Sequence, residues 1–293
     1  MKNKLSWFAV PYVVWIALFV VAPIILVVIY AFSTADGSFT LDNFSRMGTY
    51  AVVFGRSFKL AIIATAVCLL IGYPISYLMS REGPRFQRVG MVLIMLPMWM
   101  NFLLRTYSWM SILENNGLLN RLFQSIGLID LYNQIAMALS ANPAAYEPIT
   151  HFQLINTQGA VVLGMVYNYL PFMILPIYSV IVKLDRSLIE AARDLGANTF
   201  HVFRRVILPL SLPGVLSGIT MVFVPSVSTF AISKMLGGGT EMMLGDLIEQ
   251  QFLGGAYNPQ LGAAISLVMM LIVVVCMVVM NRFGEGEEQA VML

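Results

Sequence analysis

The sequence predicts an all-α integral membrane protein with six spanning helices, and three observations carry that reading. Hydrophobic residues make up 59% of the 293 residues and charged residues only 11%, with a mean hydropathy of +0.81. Soluble domains carry about 25% charged residues, so surface this apolar needs lipid. Charge-free runs recur along the chain, long enough at about 1.5 Å per residue to cross about 30 Å of hydrocarbon. The charges that remain gather in short segments between those runs.

The first run, Leu5 to Ala35, follows a small basic head at Met1 to Lys4. It is roughly twice the 7 to 15 residues of a signal-peptide core, so a retained span over about 8–32 is expected, with Pro11 and Pro23 able to tilt or kink it. Asp36 to Arg56 reads as a polar outer loop. The second span is placed at 58–80, with Gly72 and Pro74 favouring a bend that neighbouring helices must support. Arg81, Glu82, Arg85 and Arg88 form a short basic turn before a third span at 89–113, which Asn101 and Arg105 interrupt. Arg105 is expected to snorkel to the interface; the sharper reading turns it toward the bundle or a transport path.

Glu114 to Gln158 holds no clear span. Apolar periodicity over Leu118 to Leu131 and again over Ile135 to Leu139 suggests short helices along the membrane edge, separated by loop signals such as Asn142-Pro143. The fourth span is expected at 159–182, with Pro171 and Pro176 inside it and Tyr167, Asn168 and Tyr169 at mid-depth. A charged segment over 183–212 follows, then a fifth span at 213–233. Lys234 to Gln250, rich in glycine, reads as a re-entrant or outer loop, and a sixth span at 260–281 ends in Arg282 and an acidic tail from Glu285 to Glu288. The whole chain is therefore one transmembrane domain.

Of the 17 basic residues, this layout puts Arg46, Arg56, Lys59, Arg105, Arg121 and Lys234 on the outer side and the remaining 11 on the inner side. The positive-inside bias places both termini and the 183–212 segment in the cytoplasm.

Several function classes are excluded or disfavoured. A net charge of +2 with dispersed basic residues does not suit nucleic acid. Cys68 and Cys276 sit in separate apolar runs and read as buried thiols. His151 and His201 lack ligand-like neighbours at motif spacing, so neither a metal site nor a catalytic residue is expected. Gly237, Gly238, Gly239 and Gly245 are not followed by the lysine and Ser or Thr of a phosphate-binding loop. The chain is expected to bind no cofactor of its own.

The segment K-L-D-R-S-L-I-E-A-A-R-D-L-G-A-N-T-F-H-V-F-R-R-V-I-L-P is the densest cluster of charge. Ser187 with Glu190 three residues on has the form of a capping box. Leu188, Ala191, Ala192 and Leu195 recur at helical spacing, Gly196 ends or bends that helix, and Asn198 can cap a second one. Phe200, Val202 and Phe203 then stand beside Arg204 and Arg205. Together they make a knobbed helix pair outside the lipid, a shape suited to a groove in another protein.

The run Glu190, Ala191, Ala192, then Gly196, then Leu208 and Pro209 resembles the cytoplasmic EAA loop of binding-protein-dependent ABC import permeases, with Val206 where that family usually has isoleucine. The stretches T-L-D-N-F at 40–44, I-G-Y-P at 71–74, L-P-M-W-M-N-F-L-L-R-T-Y at 96–107, Y-L-P-F-M-I-L-P at 169–176 and E-A-A-R-D-L-G-A at 190–197 are similar to the polyamine permeases of that family. The resemblance implies a MetI-like permease fold in a bacterial inner membrane. It also implies two copies of a cytoplasmic ATPase that use ATP and Mg, a second homologous permease subunit, and an extracytoplasmic polyamine-binding protein. Coupling to the ATPase would fall to Ser187, Glu190, Ala191, Ala192, Gly196, Arg204 and Arg205. Polycations call for aromatic faces or carboxylates along a path. The candidates are Tyr73, Tyr77, Trp99, Asn101, Tyr107, Tyr167 and Tyr169, with the outer acids Asp246 and Glu249 three residues apart on one possible helix face. Import of another small solute, or self-sufficient secondary transport or channel activity, are the alternatives.

Overall fold

The computed structural model describes residues 10–139 and 146–291; of Arg186, Asn281 and 283–291 it describes the backbone only. The basic head and Asn142-Pro143 lie outside the described residues, as do the acidic tail's side chains. Among the described residues five helices are long and apolar enough to cross a membrane, and a bent pair supplies a sixth crossing if it is taken as one span.

Helix α1 (Val10–Ala31) is broken at Ala17–Val21 by a wider π turn, in which Ala22 N–H reaches the Ala17 carbonyl five residues back. The cause follows two positions later. In a regular turn the Pro23 ring would strike the carbonyl of residue 19, and the extra residue of a π turn removes that clash. A short helix α2 (Asp42–Arg46) and one further turn lead into α3 (Ala51–Arg81), which starts seven residues ahead of the expected span.

Helix α4 (Pro84–Trp99) is followed by α5 (Phe102–Leu113) and α6 (Leu118–Ser125), and the chain turns by 89° between α4 and the pair after it. The continuous third span expected over 89–113 is therefore two helices. Met100 is extended, with ψ 149°, and Asn101 Oδ1 accepts from Leu103 N–H at 2.9 Å and Leu104 N–H at 3.3 Å, starting a new helix in a new direction. Helix α7 (Leu128–Leu139) completes a hairpin with α6, the break falling at Gly127 with φ +73°. Two asparagines clamp this hairpin to the extended strip after it. Asn120 pairs with both backbone groups of Phe152, at 2.9 and 3.0 Å, and Asn133 with both of Ile149, at 3.0 and 2.9 Å. Each side chain offers one acceptor and one donor, as a paired peptide group does.

Helix α8 (Gln158–Ile181) leads to α9 (Arg186–Asp194) and then α10 (Thr199–Ser228). Two short helices, α11 (Ala231–Leu236) and α12 (Leu244–Leu253), build the glycine-rich outer segment, and α13 (Pro259–Val291) ends the described chain.

The centre is the packing of α3, α8 and α10. Lipid offers helices no hydrophobic reason to associate, so small residues that let backbones approach closely decide where they meet. A Cβ on Gly72 would lie 3.0 Å from Met173 Cγ, and one on Gly218 only 2.8 Å from Met173 Sδ and 3.1 Å from its carbonyl oxygen. At Gly214 two of the nearest neighbours are backbone, Pro176 O at 2.9 Å and Ile177 Cα at 3.1 Å, with the Val180 Cγ2 methyl at 3.0 Å between them in distance. Hydroxyls cross the same seams. Ser76 Oγ donates to Ile174 O at 3.0 Å, and Tyr73 Oη and Ser211 Oγ stand 2.8 Å apart. On the flank, α13 meets α1 through Ala31, Ala263, Ala264 and Leu267, and Ala31 is the residue α1 buries.

Replacing Gly214 with valine sets methyl groups against backbone that cannot swing aside. The expected cost is about 1–3 kcal/mol or more of bundle stability, seen as lower membrane yield and a lower unfolding temperature in detergent; Gly214→Ser should lose less than Gly214→Val.

Candidate functional site

The coupling candidates gather on one protruding knob, α9 with the start of α10. The first of its helices does not begin at Ser187 as expected. Asp185 is the N-cap, with Oδ1 accepting from Ser187 N–H at 2.9 Å. A carboxylate is a stronger acceptor for orphan helix N–H groups than a hydroxyl, and it also faces the positive end of the helix dipole. That hydrogen bond holds the exposed Asp185 carboxyl below its ordinary pKa. Glu190 consequently sits in the second turn, outside the first turn in which the dipole favours a carboxylate.

The far end of α9 closes by a Schellman motif. Gly196 N–H donates to Arg193 O at 2.8 Å and Ala197 N–H to Ala192 O at 3.0 Å, while Gly196 takes φ +81°. This pattern satisfies last-turn carbonyls and needs a left-handed residue. A Cβ at Gly196 would meet nothing within 4 Å, so within this chain the requirement is conformational and not one of space. Two residues later Asn198 Oδ1 accepts from His201 N–H at 2.9 Å and starts α10. Both helices of the knob are therefore capped by their own side chains or backbone.

The outward face carries Leu188, Leu195 and Phe200, 47%, 89% and 64% exposed. Ser187, Glu190, Ala191, Arg193, Arg204 and Arg205 are exposed too, Glu190 and Arg193 on the side turned toward α3 and α8, and Ala192 is half-buried. On the inward face Val202 and Ile207 are buried, and Phe203 packs edge-on against Tyr73 and Tyr77. This region repeats the device seen in α1: Phe203–Ile207 form a π turn, Leu208 N–H reaching Phe203 O, with Pro209 two positions beyond. A cavity of about 590 Å³ separates α9 from the ends of α3 and α8 and the start of α4, with Tyr77, Arg81, Glu82, Gln87, Glu190 and Arg193 among its lining.

The pathway candidates do not converge in the same way. Trp99 and Tyr107 are exposed near the 89° turn, and Asn101 caps α5. Tyr167 stacks edge-on with Trp109, centroids 5.4 Å apart, while Tyr169 packs on the central core. Tyr73 and Tyr77 lie by the knob, against Phe203. Arg105, expected to snorkel outward, is only 8% exposed; its guanidinium lies 5.9 Å from the Tyr167 ring, and its Nε and Nη1 have no hydrogen-bond partner among the described residues. The 89° turn before α5 sets that helix against α8 and α11, where Arg105 is buried and not at an interface.

Glu249 is committed through both oxygens and Asp246 through one, its buried Oδ1 having no hydrogen-bond partner among the described residues. Asp246 is buried, and its Oδ2 accepts from Met243 N–H at 2.8 Å to cap α12. Glu249 holds Lys234 Nζ with both oxygens, at 3.0 and 3.1 Å. Lys234 is legible in the sequence only as an outer basic residue, and its spacing from Glu249 carries no local pattern that announces an ion pair. The two acids therefore do not form a free negative patch.

Burial raises the Asp246 carboxyl above the usual carboxylate pKa, with the Met243 N–H opposing it. A raised folded-state value means that stability is fully present below the unfolded-chain pKa and is lost as pH rises through the folded one. Asp246→Asn, which keeps an accepting oxygen, should match the wild type at acid pH and exceed it at neutral pH; Asp246→Ala should lose about 1 kcal/mol with the cap. Thermal unfolding in detergent at the two pH values checks both. At the knob, Gly196→Asn should preserve the helix end, since Asn tolerates the left-handed region, while Gly196→Val should open it by roughly 1–2 kcal/mol. Protease sensitivity of the 186–200 segment distinguishes the two variants.

Comparison with known proteins fits this architecture. The profile described as "Binding-protein-dependent transport system inner membrane component" matches residues 72–286. The spermidine/putrescine transport system permease protein PotB of Haemophilus influenzae is 38% identical over 279 residues, covering 92% of this chain and 91% of that protein. Its Escherichia coli counterpart is 34% identical over 266 residues, covering 88% and 90%. Among solved structures, a bacterial alginate ABC transporter in complex with an alginate pentasaccharide-bound periplasmic protein superimposes with a TM-score of 0.72 at 16% identity, covering 96% of this chain and 93% of that one. The chain belongs to the binding-protein-dependent transport system inner membrane components, the permease family of ABC importers.

Proposed function

We propose that this chain is the transmembrane permease subunit of an ATP-driven importer of spermidine or putrescine, and that it turns ATPase movement into alternating access. The observation that carries the reading is the similarity to the PotB permeases along nine tenths of the chain. The knob supports the coupling half: a doubly capped helix with exposed Leu188, Leu195 and Phe200 is a rigid insert for a groove. ATP and Mg would be used by two copies of a cytoplasmic ATPase, this chain being a transport subunit and not an enzyme. A second homologous permease would complete the bundle, and an extracytoplasmic polyamine-binding protein would deliver the solute. The alginate importer crystallised with its periplasmic protein supports that last partner type. Both termini and the knob lie on the cytoplasmic side in this reading.

In this mechanism Glu190, Ala191, Ala192 and Gly196 present the docking face, Ser187 lies in the first turn, and Arg204 and Arg205 flank it. ATP-driven closure of the ATPases would carry the knob and rock the bundle between outward and inward openings. Because Asp246 and Glu249 are already engaged, cation recognition along the chain would fall to the ring faces of Trp99, Tyr107, Tyr167 and Tyr169, with Asn101 beside them and the binding protein setting most of the specificity. The buried guanidinium of Arg105 favours a second reading, import of a small solute that is not a cation.

Labelled spermidine uptake into vesicles holding this chain with its neighbouring gene products decides between them. ATP-dependent uptake that Gly196→Val lowers by roughly tenfold or more is expected. Coupled hydrolysis without polyamine uptake supports the second reading, and uptake by this chain alone under an ion gradient overturns the ABC assignment.

A further inference from the structure

We propose that Phe203 is the positioning residue through which movement of the coupling loop reaches α3, its ring acting as a wedge between Tyr73 and Tyr77. The inference rests on the reading that α9 docks on a partner ATPase.

Helix α9 packs chiefly on the first turns of α10, and the 590 Å³ cavity lies between it and the ends of α3 and α8. Besides the short 182–185 link to α8, residues 199–207 are the route by which a displacement of α9 passes into the spanning helices. Three side chains of that segment face inward. Val202 and Ile207 are buried aliphatic groups, whereas Phe203 makes directional contacts with a single spanning helix. Its centroid is 5.7 Å from that of Tyr73, with ring planes at 89°, and 5.5 Å from that of Tyr77, at 77°.

Tyr73 and Tyr77 are four residues apart and stand one above the other on the same face of α3. A ring lodged between them meets an aromatic edge whether it is driven toward the outer or the inner end of α3. Interiors packed in this way move as rigid bodies and resist continuous deformation. Both tyrosines are themselves held. The Tyr73 hydroxyl is 2.8 Å from Ser211 Oγ, and the Arg81 guanidinium lies 4.8 Å over the Tyr77 ring. Phe203 opens the π turn and Ile207 closes it, four residues apart, so the two look toward the bundle from one face.

The test uses the assembled importer with its ATPase, second permease and binding protein, reconstituted in vesicles. Three quantities are followed: ATPase retained on purification, binding-protein-stimulated hydrolysis, and solute carried per ATP. Phe203→Leu and Tyr77→Leu are each expected to keep the ATPase bound and hydrolysing while solute per ATP falls roughly tenfold. Phe203→Tyr, which keeps a ring edge, should restore most of it, and the Phe203→Leu/Tyr77→Leu double variant should be no worse than either single one. An unchanged ratio in both single variants overturns the wedge. So does loss of ATPase binding together with transport, which would make Phe203 a support for the knob alone, and so do additive losses in the double variant. Failure of the underlying docking reading looks different: Gly196→Val would then leave ATPase retention and transport intact, whatever the Phe203 variants do.

Discussion

Everything in this bundle depends on how closely α3, α8 and α10 approach one another. In water the burial of apolar side chains would hold them together; in lipid that gain is absent, and contact must come from packing and hydrogen bonds between helices. Met173 occupies the crossing, with Gly72 on one side and Gly218 on the other, and Gly214 sets backbone against backbone at Pro176 and Ile177. The seams are tied by groups that already have partners: Ser76 shares its hydroxyl between Gly72 O and Ile174 O, and Tyr73 meets Ser211. The two serines also bond to carbonyls of their own helices, Ser76 to Gly72 O and Ser211 to Leu208 O, so they favour association without leaving an unpaired group in hydrocarbon.

Proline imposes the second constraint. In α1 and α10 it is met by a π turn two residues earlier, and in α4 Pro97 precedes the Met100–Asn101 break. The consequences differ with location. In α1 the wide turn faces outward, since its five residues bury nothing. In α10 it falls where the knob enters the bundle, between buried Val202 and buried Ile207.

Much of this is legible in the chain. Charge-free runs locate the crossings, because a run without charge is what hydrocarbon selects, and Gly196 and Asn198 announce the two ends they form. The errors share a physical cause. Asp185 and Ser187 are both good caps, and the choice depends on where the chain leaves α8, which Leu184 fixes by packing on the core. Periodicity alone sends Arg105 to the interface, because it cannot say which way a helix points after an 89° turn. Asp246 reads as an outer acid available to a cation path because its burial comes from residues distant in sequence: Ser57 Oγ accepts Leu244 N–H across 187 residues and holds α12 against α3. Local chemistry writes caps and spans into a sequence, whereas the side on which a polar group finds its neighbours is a tertiary property.

If α9 is the docking element proposed above, the caps at its two ends bear on how a partner finds this chain. A helix of nine residues is marginal in water on its own, and a loop of that length left unordered would lose about 1–2 kcal/mol of backbone entropy per residue on docking. Asp185 and Gly196 meet that loss while the permease folds, before any partner arrives. Association with a soluble subunit then becomes the meeting of two finished shapes, and its affinity is set by fit and desolvation rather than by the ordering of a loop.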